Sequence, residues 1–565
     1  MASVSATGGF GAVKSLSITV DSITSNRMEQ GPDNKRRQIL RLMAIAVGMA
    51  LLANGIVWAL RVPPLHPADE SQHYLYASQF DGVSPEQPPE KSQVPRDLQA
   101  LAELAEFGPH REVRETIDLS EARTDEIKRL TKEADNPGLA TVYVEDKETH
   151  FLQPHEGFYD YHPPVYYAVT GQVLRLGHVF GFGVRGRLLM ARLFSVAMSM
   201  VAILLIVLVA RGVWPNQWGF PTLIGLAVSW QGLVAFKTSS VNNEALTFLL
   251  FSAFLYIGTR VITLRPSAAN ITGLFGIAFV AVCTKISMLA LFPPLSLFTL
   301  AFAKTRRWLR ITIWSMIGVF FGVAFAWLLI PLGGGESMIE SYTELDPEPR
   351  SFPVEMFQPG RIWDHIAIAT QNWGRTLGNA THTDARVSNK VYYCYMTLSG
   401  IALLSGLVLL FKKARAMQRR MLIWLGLAPL MVLGLFYSID YRFASLSGGW
   451  FLSRPQYFIP TAAAQMIWFV WGLSGWFRGK ILTVLAGLFT VVMMAFNIWV
   501  LTRVVSLRYF EFTGWWGQCD QIALLWPVPT WSVVAADIFA VLTSAAAAAM
   551  VIVCIRSESR LDNPA

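Results

Sequence analysis

Apolar residues in this chain gather into blocks of about twenty, the length that carries a helix across roughly 30 Å of hydrocarbon. The blocks lie near 40–61, 188–210, 219–236, 243–259, 271–284, 288–303, 311–330, 392–411, 421–438, 457–475, 481–501 and 531–555. Such segments must satisfy their own backbone polar groups in lipid, and a helix does so within one segment. The pattern therefore predicts an all-α polytopic membrane protein with about twelve transmembrane helices. Composition agrees: of 565 residues, 53% are apolar and 15% charged, against about 25% charged in soluble domains. The blocks at 271–284 and 288–303 are short and broken by Pro293-Pro294, which predicts an incomplete hairpin.

Charge orients these helices. Lys35-Arg36-Arg37, Lys304 to Arg310, Lys412 to Arg420, Arg478/Lys480 and Arg556/Arg560 flank alternate connections, and such basic flanks stay inside. The expected layout is a disordered tail at 1–39 and a first transmembrane helix at 40–61, followed by a large external loop at 62–186. A helical bundle at 187–330, a second external loop at 331–391, a further bundle at 392–555 and a tail at 556–565 complete it. Both termini then face the cytoplasm, and the protein belongs in the plasma (inner) membrane. Asp69 to Asp160 holds 21 acidic and 9 basic residues, a balance of −12 within a chain whose net charge is +8. Basic residues that flank spans are not the single basic face of a nucleic-acid binder, so no nucleic-acid partner is expected. All nine histidines fall in the two outer segments, so acid–base chemistry is expected outside. The four cysteines show no CxxC spacing, and a bridge between the outer Cys394 and Cys519 is left open.

The most informative stretch follows the first block, from Pro63-Pro64 through His66-Pro67-Ala68-Asp69-Glu70 to His73 and Tyr76. The prolines stop one helix, and Asp69 sits where the next begins. Asp69, His73 and Tyr76 then share a face, and the helix dipole keeps the carboxylate ionised. Asp69, Glu70 and His73 are the candidate catalytic groups. Asp69 with His73 is also a candidate holder of a divalent ion, with metal-free chemistry equally open. A second stretch, Tyr159 to Ala168, carries His162-Pro163-Pro164 and Tyr166, and predicts an aromatic helix lying at the membrane surface. Glu244, Lys285, Arg442 and Arg454 all fall at outer ends of spans, where an ionisable group reads by default as functional. Lys285, Arg442 and Arg454 would together make a phosphate-binding rim.

These motifs stand in an order that resembles a known family. The order is D-E-x-x-H at Asp69, H-P-P-x-Y-Y at His162, Met190-Ala191-Arg192-Leu193, N-x-E-A-L at Asn242, T-K at Thr284 and R-P-x-Y-F-I-P at Arg454. It resembles domain-of-unknown-function family 2142 of bacterial and archaeal membrane proteins, over about residues 40 to 475. That family is in turn similar to the GT-C superfamily of glycosyltransferases. The resemblance implies a GT-C-like fold with a catalytic acidic residue in the first external loop. It also implies a polyprenyl-phosphate sugar donor and a cell-envelope glycan, lipid or protein acceptor. By that resemblance Asp69 is the catalytic carboxylate with Glu70 beside it, and His162-Pro163-Pro164 closes the site. Tyr166, Arg192, Glu244, Lys285, Arg442 and Arg454 then border the substrate or its phosphate. Ser71-Gln72 stands where the family often reads Pro-Ala, and Glu244 where Asp is commoner.

Two other functions compete. A transporter or flippase of lipid-linked envelope precursors would keep ionisable groups near the bilayer midplane, where these blocks hold almost none. A non-enzymatic envelope-assembly scaffold would use the acidic outer segment, whose stretch from Arg96 to Ala134 has helical patterning, to dock a partner.

Overall fold

A computed structural model describes residues 32–65, 70–83, 93–106, 121–145, 162–264, 267–291, 389–427, 429–430, 432, 455–477, 479–505 and 514–561. In chain order the helices are α1 (Pro32–Arg61), α2 (Glu70–Ser78), α3 (Arg96–Glu106), α4 (Glu121–Ala134), α5 (Val165–Val179), α6 (Val184–Val213), α7 (Gly219–Ser229) and α8 (Gly232–Thr238). Then follow α9 (Glu244–Thr263), α10 (Ala268–Val282), α11 (Asn389–Lys412), α12 (Ala462–Ser474), α13 (Gly479–Trp499), α14 (Gly514–Leu525) and α15 (Thr530–Leu561). One antiparallel ladder interrupts the all-α plan: β1 (Gln93–Pro95) pairs with β2 (Tyr143–Glu145), with Val94 opposite Val144.

Six helices among the described residues are long and apolar enough to cross a membrane: Arg36–Arg61, Val184–Val213, Glu244–Thr263, Lys390–Lys412, Lys480–Thr502 and Thr530–Glu558. The expected span at 219–236 is a broken one, α7 and α8 meeting at 69°, and would make a seventh. The blocks at 271–284 and 457–475 form shorter apolar helices. The block at 311–330, most of 288–303 and the end of 421–438 lie outside the described residues, as does the second external loop up to residue 388. The first helix starts at Pro32 and the last runs on to Leu561, so both reach past the boundaries expected from apolarity. Backbone hydrogen bonding continues into the basic flanks because Lys and Arg are good helix formers.

The helix ends sort into two layers. At the basic end Arg36 donates to the Asn216 carbonyl (3.2 Å), Gln418 to Val213 (2.9 Å) and Lys413 to Gly475 (3.1 Å). There the Glu558 carboxylate accepts the backbone N–H groups of Trp218 and Gly219, at 2.7 and 3.1 Å, the free donors at the start of α7. The first and last described helices thus begin and end on the same side. Deep in the bundle, Asn497 joins α1 to α13: it donates to Asn54 (2.7 Å) and accepts from Trp58 (3.1 Å). Asn54 in turn donates to the Ser229 carbonyl (3.2 Å), which the α7–α8 break leaves free of its own helix. Polar satisfaction of this kind lets a broken helix persist in lipid.

At the opposite end the described part of the segment between α2 and α5 forms its own packed layer. The α3–α4 pair is held by Arg129, which lies beside Glu103, Glu126 and Glu133. Two arginines on the first turn of α6 grip it: Arg185 pairs with Asp135 and Arg187 with Asp97. Gly181 makes the α5–α6 turn at φ +72°, a conformation without steric cost only for glycine. Gly171 lets α5 press on α2: a Cβ there would sit 2.6 Å from the Ala77 carbonyl oxygen. The face of α5 turned away from α2 exposes Val169, Leu176 and Val179, which suits the expected interfacial helix.

All four cysteines are unbridged; Cys394 is exposed and Cys519 buried. Burial, and next the nearby Asp537 carboxylate, push the Cys519 thiol up to about 11, which keeps it a poor nucleophile. A membrane-impermeant maleimide applied from outside is expected to label Cys394 and to reach Cys519 only after denaturation. Single cysteines introduced between Lys412 and Arg420 should resist the same reagent, and their labelling in intact cells would reverse the orientation.

Candidate functional site

The turn after α1 sets the site. Pro63 and Pro64 end the helix, and Leu65 follows at φ +63°, a left-handed conformation that is costly for a branched side chain. Glu70 stabilises it, its Oε2 accepting the Leu65 N–H at 3.0 Å. The same carboxylate takes a two-pronged contact from Arg192 of α6, with Nε to Oε1 at 2.8 Å and Nη2 to Oε2 at 2.5 Å. A fourth donor, the Val241 N–H, reaches Oε1 at 2.9 Å. Arg192 directs its remaining donors to the carbonyls of Ala59 (2.8 Å), Val62 (2.5 Å) and Pro63 (2.8 Å). Trp526 lies over its guanidinium at 4.7 Å and donates to the Leu60 carbonyl at 2.7 Å. Both charged side chains are completely buried.

Two expectations change here. All five N–H donors of a guanidinium are met by protein in Arg192, which leaves none for a substrate phosphate. Each Glu70 oxygen already accepts two donors, so Glu70 has no lone pair to offer as a base and holds the turn in place instead. Asp69, Arg442 and Arg454 lie outside the described residues.

Above this clamp the structure gathers several of the remaining candidates. His73 and Tyr76 do share a face of α2, and both lie on Tyr167 of α5, with ring centroids 5.7 and 4.1 Å away. His73 Nδ1 is 2.8 Å from the Tyr167 hydroxyl. His162 comes edge-on to His73 at 5.5 Å, its Nδ1 3.2 Å from the Asn243 side-chain amide. The Val165 N–H donates to the Cys283 carbonyl at 3.3 Å, which ties the His162-Pro163-Pro164 motif to the Thr284-Lys285 turn. Lys285 pairs with Glu244 at the first turn of α9. Tyr166 lies one residue aside, buried and edge-on to Tyr167 at 5.3 Å; Tyr167 is the tyrosine that meets the histidines.

Lys237, at the end of α8, was not among the expected residues. Its side chain is buried, 1% exposed, and it acts electrostatically on His73. Its sequence signal was slight, a single lysine at the rim of an apolar block, indistinguishable there from a lysine extending to lipid headgroups. Burial holds the His73 imidazole well below its ordinary value, reinforced by His162, Lys237 and Lys285. His73 is therefore neutral at physiological pH. Among the described residues no group of three or more His, Cys, Asp or Glu is placed to hold a metal ion.

These features define a multi-pass helical membrane protein with a buried polar cluster at the loop end of its bundle. No protein-family profile matches the chain and no curated protein matches it, so the resemblance to family 2142 rests on its motifs. Two similar solved structures are ArnT from Cupriavidus metallidurans bound to undecaprenyl phosphate and the same protein in the apo state. The bound form has a TM-score of 0.33 and 13% identity, covering 71% of this chain and 68% of that one. The apo form has a TM-score of 0.34 and 14% identity, covering 71% and 67%.

Glu70→Gln should cost about 3–5 kcal/mol, because it leaves the Arg192 charge buried without its counter-ion; thermal melting of the detergent-purified protein reads this. The depressed His73 gives a pH dependence of known sign. Its contribution to stability is full above the unfolded value of 6.5 and is lost as pH falls below it toward the lower folded value, since the unfolded chain takes up the proton first. Melting temperature followed from pH 8 to pH 5 should fall less steeply in His73→Asn than in the wild type.

Proposed function

We propose that the chain is a membrane glycosyltransferase. It moves a sugar from a polyprenyl-phosphate-linked donor to a cell-envelope glycan, lipid or protein acceptor at the external face, on a GT-C-like fold. The single observation that supports this most is the gathering of His73 and His162 with the Glu244–Lys285 pair at one end of the bundle, through Asn243 and the Val165–Cys283 hydrogen bond, with the buried Lys237 also acting on His73. A prenyl tail can stay in the bilayer while its phosphate reaches these lysines, and burial strengthens such contacts over their value in water. Asp69 is the residue proposed to take the proton of the acceptor hydroxyl as it attacks the anomeric carbon. The leaving polyprenyl phosphate, an anion, is stabilised by Lys237 and Lys285, with Arg442 and Arg454 as further proposed contacts. Neutral His73 keeps a third cation out of the cluster. The basic end of the bundle is assigned to the cytoplasm and the membrane to the plasma (inner) membrane.

One feature favours a transporter or flippase: the 69° break between α7 and α8, since broken helices line substrate sites in many carriers. The cavity beside the break, however, is lined by Asn54, Ser199, Ser229, Thr238 and Ser239 with apolar neighbours, and none of these ionises. The ionisable groups of the spans that do pair, such as Arg61 with Asp537, do so at the loop end.

Asp69→Asn keeps the shape of the side chain and loses the base, so glycosyl transfer by the purified protein should fall by about 10²–10⁴ without a change in melting temperature. Wild-type turnover in that variant overturns the assignment of the base. Lys237→Met should weaken use of the lipid-linked donor, seen as a raised KM for it. Movement of a fluorescent prenyl-phosphate lipid between leaflets, undiminished in Asp69→Asn, would instead support the flippase.

A further inference from the structure

Among the described residues two glutamates are buried at the loop end, and they are used differently. Glu70 has four donors on its two oxygens. Glu244, 1% exposed, holds the Lys285 ammonium on Oε1, while its Oε2 is buried with no hydrogen-bond partner among the described residues. An ionised carboxylate can accept about four hydrogen bonds, and a buried charged acceptor left unmet is costly. Of the pair, Lys285 is the member that remains reachable, at 13% exposed against 2% for Glu244. It also lies close enough to His73 to act on its imidazole.

We propose that Glu244 and Lys285 form a displaceable ion pair that reads the ligand's head group: a phosphoryl group takes the lysine, and a hydroxyl on the same head donates to the released carboxylate. The inference rests on the reading of the cluster as a lipid-phosphate site. The ligand class follows from the charges. A phosphate that carries a sugar supplies an acceptor for Lys285 and a donor for Glu244 together. A bare prenyl phosphate in its dianionic form supplies only the first, and leaves Glu244 buried without its counter-ion. The pair thereby distinguishes the donor lipid from the spent lipid phosphate. Once the sugar has left, Glu244 recaptures Lys285 and the product is expelled.

The test compares two probes on the full-length protein in detergent: farnesyl phosphate and a farnesyl phosphoryl hexose, with binding followed by calorimetry. The wild type should prefer the hexosyl probe by about tenfold or more, the size of one charge-assisted hydrogen bond. Glu244→Gln removes the competitor for Lys285, so it should bind farnesyl phosphate more tightly than the wild type and lose most of the preference. Glu244→Asp keeps the charge and should retain the preference. A Gln variant that weakens both probes equally, or changes neither, overturns the proposal. The wild type alone also decides: binding of both probes without discrimination overturns the exchange and leaves the lipid-phosphate site standing. Binding of neither probe overturns both.

Discussion

A single buried ion pair organises the loop end of this protein. Glu70 and Arg192 are wholly buried, at a depth where a lone charge would be costly. Each is compensated by the other and by backbone groups from separate parts of the chain. The carbonyls of Ala59, Val62 and Pro63 lie at and just beyond the end of α1, where helical partners run out, and Arg192 takes all three. Val241, which leads into Asn243 and Glu244, is held by Glu70. The pair therefore fixes the end of α1, the start of α2 and the loop between α8 and α9. Those are the elements that carry His73, Lys237 and Glu244.

Around it, α6 works as a spine of arginines. Arg185 and Arg187 hold the outer helices through Asp135 and Asp97, and Arg192 holds the turn. Arginine suits positions 185 and 192 because a planar fork can bind a carboxylate with two parallel bonds and still serve carbonyls with its other donors. Lysines stand elsewhere in the cluster, Lys237 buried at the end of α8 and Lys285 paired with Glu244. Both act on the His73 imidazole, which burial holds below its ordinary value.

Much of the architecture was legible before any tertiary contact was known. The six long apolar helices fall where their blocks predicted, and the described basic flanks at Arg36, Lys413 and Arg556 lie at one end of the bundle. The outer stretch from Arg96 to Ala134 forms helices α3 and α4. The site was legible in part. His73, His162, Glu244 and Lys285 come together from four separate motifs, and Tyr76 shares the face of His73. Tyr166, Arg192 and Glu70 were read as touching substrate, yet the first packs inward and the other two hold each other. Lys237 has no distinctive signal, because a lysine at the end of an apolar block has the same sequence signature whether it snorkels or turns into the bundle.

The sequence by itself determined the positions of the long spans and the basic flanks beside their ends. Each of these depends on local quantities, namely hydropathy over about twenty residues and charge beside a helix end. Only the tertiary structure decided what each charged residue is for. Adjacent carboxylates in an Asp-Glu pair look alike in sequence, but Glu70 is drawn into a pair with an arginine 122 positions away. Burial at that distance leaves no local trace: it depends on which helices meet, and the Coulomb energy of a buried pair is large only once water has been excluded around it.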